Sequence, residues 1–345
     1  MTIVVKLGTS LVARPSGSVR RSVLRWRARE IAAVVKGGEP VAVVSSGAIA
    51  LGLPHLGLDR RPRSVSKLQA ASALGQTRLQ RAWEQALSRE GVLAAQVLLT
   101  AGDVADRSAY VNARNALQAL FTLGAVPIVN ENDATATDEI AFGDNDALAA
   151  HVAILVRARL LVLLTEVAGV FTRAPGAPGA ELVDDGSVVD KAVLGEASRL
   201  GRGGMRSKVL AAEMAASAGI PTVIAAGTGT SVLESMLAGE PRGTRFHGDG
   251  REISAYKLWL RFGKPVVGRL QVDAGARRAV TAENRSLLAV GVVACEGRFE
   301  AGDAVELVGP DGVPFAKGIA GAGTAEISGR PRGLEAVHRD RLVVF

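Results

Sequence analysis

The sequence predicts an α/β fold, with a mainly parallel open sheet flanked by helices, followed by a small β-rich domain. Three observations carry this expectation. Short apolar runs alternate regularly with amphipathic stretches over the first two thirds of the chain, the pattern of strand–helix–strand units. Several of the apolar runs end directly in Gly, Ser or Thr before a helix opens. From Pro265 onward the style changes to short β-like pieces separated by glycine turns, GRLQVD, LLAVGVVACEG, GDAVELVGPDG and AKGIAG.

Each element follows from its residues. Positions 2–7 (TIVVKL) form an apolar strand with Lys6 near its carboxyl end, and Gly8, Thr9 and Ser10 follow. In an open parallel sheet, ligands bind beyond the carboxyl ends of the strands. A lysine there is either an anion contact or a solvated strand end. Positions 18–36 read as a helix burying Val23, Trp26, Ile31 and Val34, with the arginines outside. A second strand, 40–45, ends in Ser45, Ser46 and Gly47 before a helix at 48–51. Helix 66–90 carries Lys67, Gln69, Gln76 and Trp83. Strand 92–99, helix 103–123 and strand 125–129 follow.

The loop at 130–145 contains NEND (130–133) and GDND (143–146) directly after a buried strand. So many amides and carboxylates suit a site that holds an amino group, a carboxylate, or lysines and a metal ion. The alternative is a turn-rich surface loop with helix caps at Asp144 and Asn145. A fifth strand, 159–164, ends in Thr165 and Glu166. Positions 169–172 and 181–183 fit a strand pair joined by APGAPG, and a modest helix covers 190–200. The stretch GRGGMRSK at 201–208 places three glycines and Lys208 at the start of a helix. Bare backbone N–H groups and the helix start favour an anion there. The spacing is not that of a Walker loop, and a flexible loop before a surface helix is the plain alternative. A strand at 221–225 and a helix at 231–237 close this region, and 239–250 reads as a boundary loop.

The 345 residues favour two domains, read here as 1–245, a linker at 246–264, and 265–345. Hydrophobic content of 48% with 22% charged residues excludes a disordered chain. One cysteine, Cys295, excludes an internal disulfide and fits a reducing cytoplasm. MTIVVKLG is strand-like rather than a signal peptide, and the most apolar run, 152–164, holds Arg157 and Arg159 and is too short to span a bilayer. No membrane association is expected. The net charge of +7 fits either nucleic-acid contact or arginines scattered on helices such as Arg20, Arg21, Arg25, Arg27 and Arg29.

Taken together, the motifs resemble those of the glutamate 5-kinases, within the amino acid kinase family, with a C-terminal PUA domain. They are VVKLGTS (4–10), SSGAIALG (45–52), LGQ (74–76), LLT (98–100), NARNAL (112–117), PIVNENDA (127–134), FGDNDALAA (142–150), LLTE (163–166) and GGMRSK (203–208). GRLQVDAGARRAV (268–280) and EAVHRD (335–340) carry the PUA likeness. The resemblance implies the amino acid kinase fold and ATP-dependent phosphorylation of the side-chain carboxylate of L-glutamate, the first step of proline biosynthesis. By family matching, Lys6 and Lys208 are the cations on the phosphates and Asp146 orients them. Ser46, Asp133 and Asn145 match glutamate-binding positions. Gly8 and Thr9 match the phosphate path. Thr165, Glu166, Arg202, Gly203, Gly204, Met205, Arg206, Ser207 and Lys208 match nucleotide segments. The resemblance also implies Mg²⁺ arriving with ATP, a homo-oligomer (dimer or tetramer) and feedback inhibition by proline. RNA binding by the PUA domain is a further possibility under it. No dedicated protein metal site is expected.

Three places depart from the family pattern, all on the nucleotide side. Glu166 stands where the pattern has Asp, Ala168 replaces an Asp before Gly169, with Arg173-Ala174-Pro175 in place of Ala-Asp-Pro, and Arg202 sits inside the glycine turn. A kinase of the same fold acting on acetylglutamate or aspartate, and an RNA-binding protein with a decayed kinase part, are the competing readings.

Overall fold

The computed structural model of the chain describes residues 1–58, 60–135, 144–190, 204–240, 242–248 and 254–345. They form two compact units, Met1–Glu252 and Ile253–Phe345.

In the first unit, seven strands make one sheet: β1 (Ile3–Leu7), β2 (Val41–Ser45), β3 (Ala94–Leu99), β4 (Val126–Glu131), β5 (Leu160–Thr165), β6 (Thr222–Ala226) and β7 (Thr244–Phe246). The order is β3-β4-β2-β1-β5-β6-β7, parallel throughout except for β7. All five residues of β1 are buried, as expected of a central strand covered on both faces. Leu7 pairs with Ser45 on one side and Leu164 on the other, and Thr165 pairs with Ala226. The carboxyl ends of these strands are therefore level, and the segments after them share one edge.

The described helices of this unit are α1 (Thr9–Val12), α2 (Arg21–Lys36), α3 (Ala48–Gly52), α4 (Val65–Ser88), α5 (Ala101–Ala105), α6 (Arg107–Thr122), α7 (Asn145–Val156), α8 (Met205–Ser217) and α9 (Val232–Leu237). The turn into α3 needs glycine, since Gly47 has φ 117°, a conformation that L side chains rarely adopt. Helices α3 and α4 cross with backbones in contact. A Cβ on Gly75 would lie 1.7 Å from the Ala48 carbonyl oxygen, and one on Gly52 would lie 1.8 Å from that of Ala71. Neither carbonyl can rotate away. Gly75→Ala is expected to cost about 3 kcal/mol or more by forcing the helices apart; urea unfolding checks this, and an unchanged midpoint contradicts the packing.

Several expectations need correction. Arg27 is fully buried rather than outside. It pairs with Glu30 at 2.9 Å and donates to the Gly229 carbonyl at 2.5 Å, while Glu30 accepts from the amides of Val232 and Leu233 at the start of α9. Trp26, expected inside, is 38% exposed. The helix expected at 103–123 is two helices, because Asp106 takes an extended conformation and caps α6 through Ala109 N–H. The strand pair at 169–183 is reduced to a single bridge between Phe171 and Leu182. The boundary loop at 239–250 contains β7. The helix expected at 190–200 lies almost wholly outside the described residues.

The second unit opens with a short helix, α10 (Ala255–Leu258), and a wide turn at Trp259–Gly263. Its strands are β8 (Val266–Val272), β9 (Leu287–Leu288), β10 (Val292–Glu296), β11 (Ala304–Val308), β12 (Pro314–Ala320) and β13 (Glu335–Val344), in the order β10-β8-β11-β12-β13-β9. Helices α11 (Ala274–Thr281) and α12 (Thr324–Ser328) join them. Leu270, Val272, Val305, Leu307, Ile327 and Val337 fill its core. Lys317 is buried here, and burial pushes its ammonium down to about 8. It donates to the carbonyls of Arg261 and Lys264, tying β12 to the wide turn. Among the described residues no helix is long and apolar enough to cross a membrane.

Candidate active site

Lys6 is the fourth residue of β1, one position before its end, and is only 3% exposed. Asp146 is the second residue of α7 and has no exposure. Lys208 lies in the first turns of α8 and is 7% exposed. The three meet. Lys6 Nζ is 2.5 Å from Asp146 Oδ1, and Lys208 Nζ donates to Asp146 Oδ2 at 2.9 Å. One carboxylate thus spaces two ammonium groups contributed by a strand end and a distant helix start.

The approach of α7 and α8 has local causes. Asp144 caps α7, its Oδ1 accepting from the amides of Asp146 and Ala147. Ser207 Oγ accepts from Gly204 N–H at 3.1 Å and donates within reach of Asp146 Oδ2, also at 3.1 Å. The start of α8 is therefore tied to the same carboxylate as the lysines.

Burial pushes the Lys6 ammonium below the ordinary lysine value, and the neighbouring Lys208 charge adds to this, while Asp146 offsets part of it. Burial opposes ionisation of Asp146, but the two ammonium groups and their hydrogen bonds hold its carboxyl below the usual range. The cluster carries one net positive charge in a nearly dry place. That is a setting for an anion whose charge is spread over several oxygens.

Next to Asp146, Asn145 begins a second network. Asn145 Nδ2 donates to Ser46 Oγ at 2.9 Å and to Asn130 Oδ1 at 2.8 Å, and Asn130 Nδ2 donates to Gln76 Oε1 at 2.7 Å. Asp133 accepts from Ser72 Oγ on α4 at 2.7 Å. Ser46 and Asn145, both expected from sequence, are brought together, and Asp133 is fixed on the same strand-end segment by a different partner.

The remaining expected residues sit around this edge. A Cβ on Gly8 would lie 3.9 Å from Lys6 Nζ, so the bare backbone after β1 stands beside that ammonium. Thr9 begins α1. Thr165 ends β5 and its carbonyl accepts from Gly227 N–H at 2.7 Å. Glu166 is half exposed and pairs with Arg20 at 3.7 Å. Met205 and Arg206 form the first turn of α8, with Arg206 exposed. Arg202 and Gly203 lie outside the described residues. Gln76, Asn130 and Ser72 were not among the expected site residues. Gln76 and Asn130 fall inside motifs that point to the site, yet only the long-range hydrogen bonds reveal their part in it.

The family model of the amino acid kinase family matches residues 1–226, and that of the PUA domain matches 268–338. A glutamate 5-kinase of Burkholderia ambifaria is 42% identical over 362 residues, covering 99% of this chain and 97% of that protein. A glutamate 5-kinase of Cupriavidus pinatubonensis is 42% identical with the same coverage. Among solved structures, a UMP kinase from Bacillus anthracis covers 72% of this chain and 96% of its own, with a TM-score of 0.50 at 17% identity, and shares the fold alone. Likeness that runs through both units at this level places the chain in the glutamate 5-kinase family, amino acid kinases that carry a PUA domain.

Proposed function

We propose that this chain transfers the γ-phosphoryl group of ATP to the side-chain carboxylate of L-glutamate, giving L-glutamyl 5-phosphate and ADP as the first step of proline biosynthesis. The observation that carries this reading is Asp146 holding Lys6 and Lys208 on its two oxygens. A glutamate side chain has a pKa of about 4.3 and is already ionised at neutral pH, so no general base is required. The barrier is the approach of two anions in line and the charge that develops on the transferred oxygens. Two fixed ammonium groups, the amides beyond Gly8 and the start of α8 answer that requirement. Ser46, Asn145 and Asp133 supply hydroxyl, amide and carboxylate groups for the α-amino and α-carboxylate ends of the substrate.

Asp146 is committed to two lysines and offers little to a cation, so the chain's own donors at the cluster do not form a magnesium cage. Mg²⁺ would fit here as a companion of ATP rather than as a resident of the cluster, and would supply positive charge against that of the phosphates.

Lys6 acts as a cation, and its proton is held less tightly than that of an ordinary lysine. Raising the pH through its lowered value removes the charge. The alkaline limb of kcat/KM is therefore expected below the ordinary lysine range near 10.5, and bound ATP, an anion, should move the limb of kcat upward. Rates that stay flat to the ordinary lysine range contradict this. The substrate assignment is tested by ADP release with Mg-ATP and L-glutamate beside N-acetylglutamate and aspartate. Turnover specific to L-glutamate is expected, and preference for either control sinks the assignment.

A further inference from the structure

The amides of Gln76, Asn130 and Asn145 form a chain with a direction. Gln76 Oε1 accepts from Asn130 Nδ2, and Asn130 Oδ1 accepts from Asn145 Nδ2. Each amide has one accepting and one donating end, so the chain has only two self-consistent settings. In the setting observed, Asn145 presents Oδ1, a buried acceptor with no hydrogen-bond partner among the described residues. In the reverse setting Asn145 would present its NH₂ group. The first suits an ammonium ligand and the second a carboxylate. Gln76 is 8% exposed, and its Nε2 is likewise buried without a partner among the described residues. Buried polar atoms are rarely left unfilled, so an open acceptor beside Ser46 and Asp146 points to a ligand donor.

We infer that Gln76 is a positioning residue for substrate choice. The observed setting requires an acceptor at position 76 for Asn130 Nδ2, and that setting leaves Asn145 Oδ1 to the α-ammonium group of the substrate. The site thereby selects an amino dicarboxylate over a dicarboxylate without the amine. The inference rests on the L-glutamate reading above. Without an acceptor at position 76, Asn130 Nδ2 loses its partner and the chain is free to reverse. A carboxylate at that position can only accept, so it enforces the observed setting.

The test compares L-glutamate with glutarate, which lacks only the α-ammonium group, in wild type, Gln76→Met and Gln76→Glu. The readout is the ratio of the two kcat/KM values. Gln76→Met should lower this preference by about tenfold to a hundredfold, the worth of a hydrogen bond to a charged group. The change should lie in KM for L-glutamate, with KM for ATP unchanged. Gln76→Glu should keep the preference within about threefold, a difference under 1 kcal/mol. An unchanged preference in Gln76→Met, or an equal loss in Gln76→Glu, overturns the inference. Thermal unfolding confirms that each variant is folded. If Gln76→Met is not, Gln76→Glu decides alone, retention supporting the role and loss refuting it. Wild type that turns over neither acid contradicts the L-glutamate reading instead. Calorimetric binding of the two acids to the same proteins then decides the role of Gln76: loss of preference in Gln76→Met with retention in Gln76→Glu supports it, and any other pattern refutes it.

Discussion

Lys208→Ala is expected to lower kcat by about a thousandfold, within the range seen when one fixed cation or aimed donor is removed from a phosphoryl- or acyl-transfer site. The size follows from where the ammonium sits. Lys208 Nζ is 2.9 Å from Asp146 in a place with almost no solvent, so water cannot replace its charge on the transferred group. Lys208→Arg should not restore the rate, because a planar guanidinium does not fit a point contact beside Lys6 and Ser207. The variant keeps Lys6 paired with Asp146, so the fold should persist, and KM for L-glutamate should change little. Steady-state kinetics on folded protein check this. A kcat within tenfold of wild type would remove Lys208 from the chemistry.

The second large effect is expected for Asp146→Asn, in stability as well as rate. The substitution leaves two ammonium groups buried beside each other without their shared carboxylate. Breaking a buried ionic cluster in this way costs about 3–5 kcal/mol. The loss should depend on pH in a set direction. In the variant a lysine proton is bound more weakly in the folded than in the unfolded chain, so stability should recover as the pH rises and that proton leaves. Wild type keeps a weaker form of this alkaline trend, since burial already lowers Lys6 beside Asp146, and it adds an acid limb of its own. The folded carboxyl of Asp146 titrates below its ordinary value of 3.8, so its contribution is complete above that value and is lost as the pH falls through the lowered one. Urea unfolding at acid, neutral and alkaline pH reads both. A variant as stable as wild type at neutral pH contradicts the coupling. Polyphosphate should rescue the variant's stability by supplying the missing negative charge.

Much of this arrangement is legible in the residues. The valine- and leucine-rich runs give β1, β2, β4, β5 and β6 nearly to the residue, because a strand buried on both faces needs an unbroken apolar run. Lys6 is noticeable because a charge interrupts such a run just before glycine. Asp144 is legible as a cap, since its position before an apolar helix is a local property. What stays hidden depends on distant partners. Arg27 looks like any surface arginine until Glu30 and the Gly229 carbonyl are brought to it. Asp106 breaks a helix that periodicity alone runs through. The turn before β7 reads as a loop because three residues pairing with β6 carry no pattern of their own. The first six residues of β13 lie in a recognisable motif, but its length comes from pairing with β12 and β9. At the site, residue types indicate which groups are present. The Gln76–Asn130–Asn145 chain exists only through hydrogen bonds between segments about fifteen and about fifty positions apart.

If Lys6 and Lys208, spaced by Asp146, put a phosphoryl group on the side-chain carboxylate of L-glutamate, the product is an acyl phosphate. Hydroxylamine trapping tests it most directly, because an acyl phosphate reacts with hydroxylamine to give a hydroxamate while other phosphorylated products do not. With Mg-ATP and L-glutamate, wild type should form γ-glutamyl hydroxamate in step with ADP, and Lys208→Ala should form almost none. ADP release without hydroxamate, or equal hydroxamate from both proteins, would contradict the account.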